Sequence, residues 1–409
     1  MTVTIFKNCT LFDGHSPDVL EGQYVVVEDT RICEISAKPM SVANAREIDL
    51  YGKTLMPGLI DAHVHVNAHK VNLTDNDETP RAIRALHAKV FMEAALQRGF
   101  TSLRDAGGAD REIYDALALG LIHGPRLFYS GHALSQTGGH GDFRHPHPTE
   151  GCACAYVGAI SVIADGVDAV RTAAREELRR GAHQIKIMAS GGVASPADPI
   201  GMLQYTDEEI LAAVEEAQRC GTYVMAHAYT PEAITRCIRL GVRSIEHGNL
   251  IDAATAQLVA EKQAFVVPTL VTYQALAKHG RDWGFPEDSL QKVQQVQSAG
   301  LEALAICEQA GAQMGFGTDL LGSLHHYQCE EFNLRAQVLS FLSILRSATS
   351  VNAKLLNQSG ELGVIAPGAL ADLIVVDGNP LADVSCFTEQ GEHIQLVMKN
   401  GQICKNQLH

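Results

Sequence analysis

The chain has 409 residues, 46% of them hydrophobic and 19% charged, which suits a large buried core and excludes a disordered chain. No run approaches the roughly 20 apolar residues of a membrane-spanning helix. Lys+Arg 32 against Asp+Glu 47 leaves a net charge of −15, a surface that repels phosphate backbones and argues against nucleic acid as a partner.

The opening stretch, Met1 to Gly14, alternates as a strand does and lacks the basic head and apolar run of a secretory leader. Thr4 to Phe6, Tyr24 to Val27, Ile32 to Ile35 and Arg46 to Leu50 read as short strands separated by Gly, Asp and Asn turns. From Pro57 to Gly360 apolar strands alternate with amphipathic helices. The expected strands are Leu59 to Val66, Phe100 to Arg104, Arg126 to Ser130, Gln184 to Met188, Thr222 to Ala226, Ser244 to His247, Phe265 to Pro268 and Gln313 to Gly317. Between them, Arg81 to Arg98 and Asp168 to Arg180 carry helical spacing. Thr206-Asp207-Glu208-Glu209 is a capping box opening a helix that Gly221 closes. Strand texture returns at Ala371 to Pro380 and His393 to Met398.

Eight β/α units point to a TIM (β/α)8 barrel, and no GxGxxG follows the first strand to favour a doubly wound sheet. The expected architecture is α/β. The barrel spans 57–360 and is inserted in a small β-sandwich built from both chain ends, 1–56 and 361–409. Ten cysteines are scattered without zinc-finger spacing, and Cys152 and Cys154 are too close for a CxxC motif. Free thiols in a reducing compartment, by default the cytoplasm, are the expectation.

A barrel places catalytic groups at the C-terminal ends of its strands. There the first strand ends in His63-Val64-His65, the fourth contains Lys186, the fifth runs into His227, the sixth into His247 and the eighth into Asp319. Residues two apart in a strand face the same side, so His63 and His65 can chelate one ion. Each of the others alone has a plain reading: a hydrogen-bonded core histidine, or for Asp319 a helix N-cap. Together at one barrel mouth they point to metal. Lys186 lies between Ile185 and Ile187, where an ammonium is costly. Either a salt bridge neutralises it, or burial lowers its pKa until the amine takes up carbon dioxide as a carbamate, an anionic ligand able to bridge two cations. His63, His65, Lys186, His227, His247 and Asp319 then suffice for two divalent ions with a hydroxide between them.

Met56-Pro57-Gly58-Leu59-Ile60-Asp61-Ala62-His63-Val64-His65 resembles the first-strand signature of the amidohydrolase superfamily, and Gly363 to Leu373 is similar to its re-entry into the β-domain. Ile185 to Val193 and Gln136 to Asp142 resemble its prolidase-like, imidazolonepropionase-related branch, which holds dipeptidases, N-acyl amino acid hydrolases and enzymes cleaving ochratoxin. The resemblance implies two zinc ions, a carboxylated Lys186 and attack of a metal-bridging hydroxide on the amide of a dipeptide such as Xaa-Pro or of an N-acyl amino acid. Asp319 would act as general base and then general acid. It also implies substrate contacts from His140 and Tyr229. Arg144 could reach a substrate carboxylate, Ser190 to Asp198 and Arg144 to Pro148 read as mobile loops, and His325-His326 as rim candidates. The competing functions are a mononuclear deaminase or cyclic-amide hydrolase of the same superfamily, and a scaffold that has lost its chemistry. The expected partner is a small-molecule substrate without membrane; homo-oligomerisation is left open.

Overall fold

A computed structural model describes residues 2–144, 156–195 and 198–408. The chain ends build one eight-stranded sheet. It comprises β1 (Val3–Leu11), β2 (Leu20–Glu28), β3 (Arg31–Ser36), β4 (Arg46–Asp49), β5 (Thr54–Pro57) and the C-terminal strands Leu373–Val376, Ile394–Lys399 and Gln402–Asn406. β5 is the seam, parallel to β1 on one side and antiparallel to Leu373–Val376 on the other. The sheet folds over on itself, with the Ile32 amide donating to the Ala369 carbonyl and the Gly368 amide donating to that of Ile32. Strand alternation explains how this sheet serves two cores at once. Leu55, Leu373, Val375, Leu396 and Met398 fill its own core, while Met56, Ile374, Val376 and Val397 join the core of the barrel.

The barrel follows directly. Its strands are β6 (Leu59–Val64), β7 (Phe100–Asp105), β8 (Arg126–Tyr129), β9 (Ala133–Ser135), β10 (Ser161–Ile163), β11 (Ile185–Met188), β12 (Val224–Ala228), β13 (Ser244–His247), β14 (Phe265–Val267) and β15 (Gln313–Met314). β6 to β8 form one parallel arc, and β9 with β11 to β15 another. The His183 amide on the Tyr129 carbonyl links the arcs on one side, and the Ala62 amide on the Phe316 carbonyl links them on the other. Last strand meets first so closely that a Cβ at Gly317 would lie 2.8 Å from the His63 Cβ. Regular pairing there stops at Met314, short of the expected Gly317.

The expected helices are present as Arg81–Gln97, Val167–Arg179 and Asp207–Arg219, the last with both halves of its capping box made by Thr206 and Glu209. The fifth strand starts later than expected. The Thr222 amide is still closing the preceding helix on the Ala217 carbonyl, so pairing begins at Val224. The three-residue strands β9 and β10 carry too short a pattern to be foreseen. Eight cysteines are free among the described residues, while Cys152 and Cys154 lie outside them. No helix among the described residues is long and apolar enough to cross a membrane.

Candidate metal centre and active site

Period-two alternation aims the site residues. In β11, Ile185 and Ile187 pack into the main core while Lys186 and Met188 line a cleft. In β12, Val224, Ala226 and Ala228 pack into that core, while His227 and Tyr229 line the same cleft. His247 and Asp319 reach it by another route. Both hold left-handed backbone, with φ of 72° and 52°, a conformation costly for residues with a Cβ and concentrated at functional sites. The turn at His247 breaks the alternation of β13, so Glu246 and His247 both serve the site.

The six residues expected as ligands all line one cleft of about 510 Å³, counting its mouth. His63 Nδ1 lies 2.7 Å from Glu246 Oε2, and Glu246 also accepts from Arg104 Nη2 at 2.9 and 2.8 Å and from Ser244 Oγ at 2.5 Å. With Nδ1 donating to a carboxylate, the lone pair of His63 sits on Nε2, which is buried and has no hydrogen-bond partner among the described residues. That nitrogen is 3.4 Å from Asp319 Oδ1, and His65 Nε2 is 3.2 Å from the same oxygen. His65 Nδ1 is held by the Gly107 carbonyl at 2.8 Å. The donor atoms of His63, His65 and Asp319 lie within 4.8 Å of one another. Two imidazoles locked by outer partners, converging with a carboxylate on an orphaned nitrogen, fit a divalent cation.

The second half of the cluster lies alongside. His247 Nδ1 is 2.8 Å from Thr269 Oγ1 and 3.9 Å from Asp319 Oδ2, while His227 Nε2 contacts the Gly191 carbonyl at 3.1 Å. The His247 ring is 4.9 Å from that of His63 and 4.7 Å from that of His227, centre to centre.

Burial sets the charges. It pushes His227 and His247 well below the usual imidazole range, leaving both neutral with lone pairs available. Asp319 stays ionised, because the His63 and His65 side chains beside it outweigh its desolvation and hold it well below the carboxylate range. Burial lowers Lys186 to about 8, where about a tenth is neutral amine at pH 7. Lys186 makes no ion pair or hydrogen bond with the described residues. Of its two sequence readings, the salt bridge is therefore not made among them.

His140 lies on the ceiling of the cleft, its ring stacked on His227 at 4.0 Å. Its Nδ1 is 2.7 Å from Ser195 Oγ and 3.5 Å from Asp198 Oδ2, and its Nε2 makes no hydrogen bond with the described residues. Its ring occupies the space a Cβ on Gly192 would need, with ring atoms 2.1 to 2.5 Å from that position. Tyr229 lines the cleft, but its hydroxyl is shared with that of Tyr273 at 2.7 Å.

Three expectations are corrected. The segment after β11 is tied down where described: Lys292 Nζ donates to the carbonyls of Gly192, Ser195 and Asp198 at 3.2, 2.9 and 2.7 Å. Arg144 is engaged by Asp142, with Nε 2.7 Å from its Oδ1, and residues 145–148 with His145 and His147 lie outside the described residues. His325 and His326 line a different cavity, where His325 stacks on Phe91 at 3.9 Å. Sequence reasoning missed Glu246 and Arg104. The available signal was charge inside apolar strands, Ser102-Leu103-Arg104 and Ile245-Glu246-His247, where neither residue has solvent access.

A model of the Amidohydrolase family matches residues 54–404. Ochratoxinase of Aspergillus niger is 35% identical over 371 residues, covering 86% of this chain and 75% of its own. A solved prolidase complexed with N-methylphosphonate-L-proline is 52% identical, with a TM-score of 0.97 over 99% of this chain and 100% of its own. A solved Xaa-Pro dipeptidase with methionine in its active site is 31% identical, with a TM-score of 0.88 over 98% of this chain and 99% of its own. The chain belongs to the amidohydrolase family, on its prolidase-like branch, and is a hydrolase of amide or peptide bonds.

Proposed function

We propose that the chain is a binuclear metal-dependent hydrolase of dipeptides of the Xaa-Pro type or of N-acyl amino acids. The observation that carries this reading is the buried, partnerless His63 Nε2 facing Asp319 and His65 across a cleft lined by Lys186, His227 and His247. His63, His65 and Asp319 would hold one divalent ion and His227 and His247 the other, with Lys186 as its carbamate joining them; zinc is the expected metal. When bound, such ions polarise a carbonyl and lower the pKa of water.

The chain's own residues do the rest. Glu246 and Arg104 fix the His63 tautomer, and Gly191 and Thr269 orient His227 and His247. Asp319, ionised at neutral pH, takes the proton of the attacking water on a carboxylate oxygen and returns it to the leaving nitrogen. His140 offers Nε2 to a polar group of the substrate, and Tyr229 lines the same cleft. Apart from Thr272, the cleft's other walls, Leu73, Phe143, Ile160, Val193, Leu276 and Leu321 among them, are apolar and favour a hydrophobic acyl or side-chain group.

Release of free amino acid from zinc-supplemented protein tests the reading across Xaa-Pro dipeptides, other dipeptides and N-acyl amino acids. Turnover with a clear preference at the leaving amino acid is expected. Silence on the whole panel from metal-loaded protein contradicts it, and ammonia release from a heterocycle would favour the deaminase alternative.

A further inference from the structure

The unabsorbed pair His325-His326 belongs to a second, open cavity of about 680 Å³ counting its mouth. Helix Arg81–Gln97 forms one wall, and the segments following His65 and Asp319 form the others. Arg98 lines it, 5% exposed, yet no carboxylate lies within 4.0 Å of it among the described residues. Its partners are neutral: Nε and Nη2 donate to Gln328 Oε1 at 3.0 and 2.9 Å, and Nη1 to Gln390 Oε1 at 3.3 Å. A guanidinium has five N–H groups, so these three bonds leave two for another acceptor. Gln328 in turn donates through Nε2 to Asp61 Oδ2 at 2.9 Å.

In a chain of net charge −15, the walls of this cavity carry no Asp or Glu. They carry Arg98 and four imidazoles, those of His69, His87, His325 and His326. Apart from Ser323 the rest is apolar, with Val66, Val90, Phe91 and Ala94 among it. The His69 and His87 rings lie 4.6 Å apart. A buried cation without a counter-charge is costly unless an anion is brought to it, and apolar walls reward a ligand with a hydrophobic body.

We propose that this cavity binds a small organic carboxylate with an apolar body, the carboxylate taken by Arg98 with His87 and the body packed against Phe91 and Val90. Because its walls continue from His65 and Asp319, occupancy restrains both segments that lead out of the metal centre.

Calorimetric titration of metal-loaded full chain tests this with three probes: benzoate, inorganic phosphate as the charge without the body, and benzyl alcohol as the body without the charge. Benzoate should bind near millimolar strength or better, phosphate more weakly, and benzyl alcohol not measurably. Arg98→Met and His87→Ala should each weaken benzoate about tenfold, and the cleft variant His227→Ala should leave it unchanged. His87 is exposed, so its variant reports even if Arg98→Met fails to fold. Benzoate binding that is absent, that survives His87→Ala and Arg98→Met, or that is lost in His227→Ala overturns the proposal. Phosphate binding as tightly as benzoate overturns the apolar-body requirement.

Discussion

Replacing Glu246 by glutamine keeps the side chain's size and an oxygen facing His63 Nδ1, but removes the charge that balances Arg104. Both side chains are fully buried, so the variant leaves an uncompensated guanidinium in the barrel. Removing one partner of such a pair costs about 3–5 kcal/mol. The lower end applies here, because Arg104 Nε keeps the Ala62 carbonyl at 2.5 Å and Nη1 keeps Ser244 Oγ at 3.3 Å. His63 also loses a charged acceptor, and perturbing such an outer partner lowers metal affinity about 10- to 100-fold. Urea unfolding of metal-free protein reads the first effect, and a chelator competition reads the second. Adding Arg104→Met removes the stranded charge. The double variant should therefore recover about 2 kcal/mol while metal affinity stays low. A single variant costing under about 1 kcal/mol, or a double variant no more stable than the single, would refute the reasoning.

Further perturbations address the cleft ceiling and the surface. Gly192→Ala places a Cβ in the space of the His140 ring, so KM for a good substrate should rise about tenfold while bound metal is unchanged; an unaltered KM would remove His140 from substrate binding. Lys292→Met frees three carbonyls of the segment after β11, and hydrogen exchange at 191–195 should quicken selectively; unchanged protection would deny the lysine its clamping role. Hydrogen bonds from Arg175 and Arg171 hold Glu216 down at about 2 against an ordinary 4.5. A depressed carboxyl stabilises the fold above its unfolded pKa and loses that stabilisation as pH falls through the folded one. The melting temperature of the native chain should therefore drop faster than that of Glu216→Gln between pH 4.5 and about 2, and parallel curves would contradict the ion pairs.

The strands that repeat with period two were legible, and so were the residues at their ends. His63 and His65 follow from a two-residue spacing, and Lys186 from its flanking isoleucines. His247 and Asp319 were legible only as residue types at strand ends. Their positions depend on left-handed backbone that no local propensity announces, since neither is a glycine. Glu246 and Arg104 were missed because a charge pair across the barrel interior, 142 residues apart in sequence, leaves no local pattern. His140 was named, but its orientation was not legible. Its loop was visible as glycine-rich, but the Ser195 and Asp198 contacts that orient it come from a different strand end. His325 was misplaced for a simple reason: six residues past Asp319 the chain has already turned away to pack on Phe91.

The central claim is a two-ion centre joined through a carboxylated Lys186. Metal content per chain, measured by mass spectrometry on native protein and on Lys186→Ala after identical loading, tests it most directly. About two ions in the native chain and one or fewer in the variant is the predicted result. One ion in both, or two retained without the lysine, would contradict it.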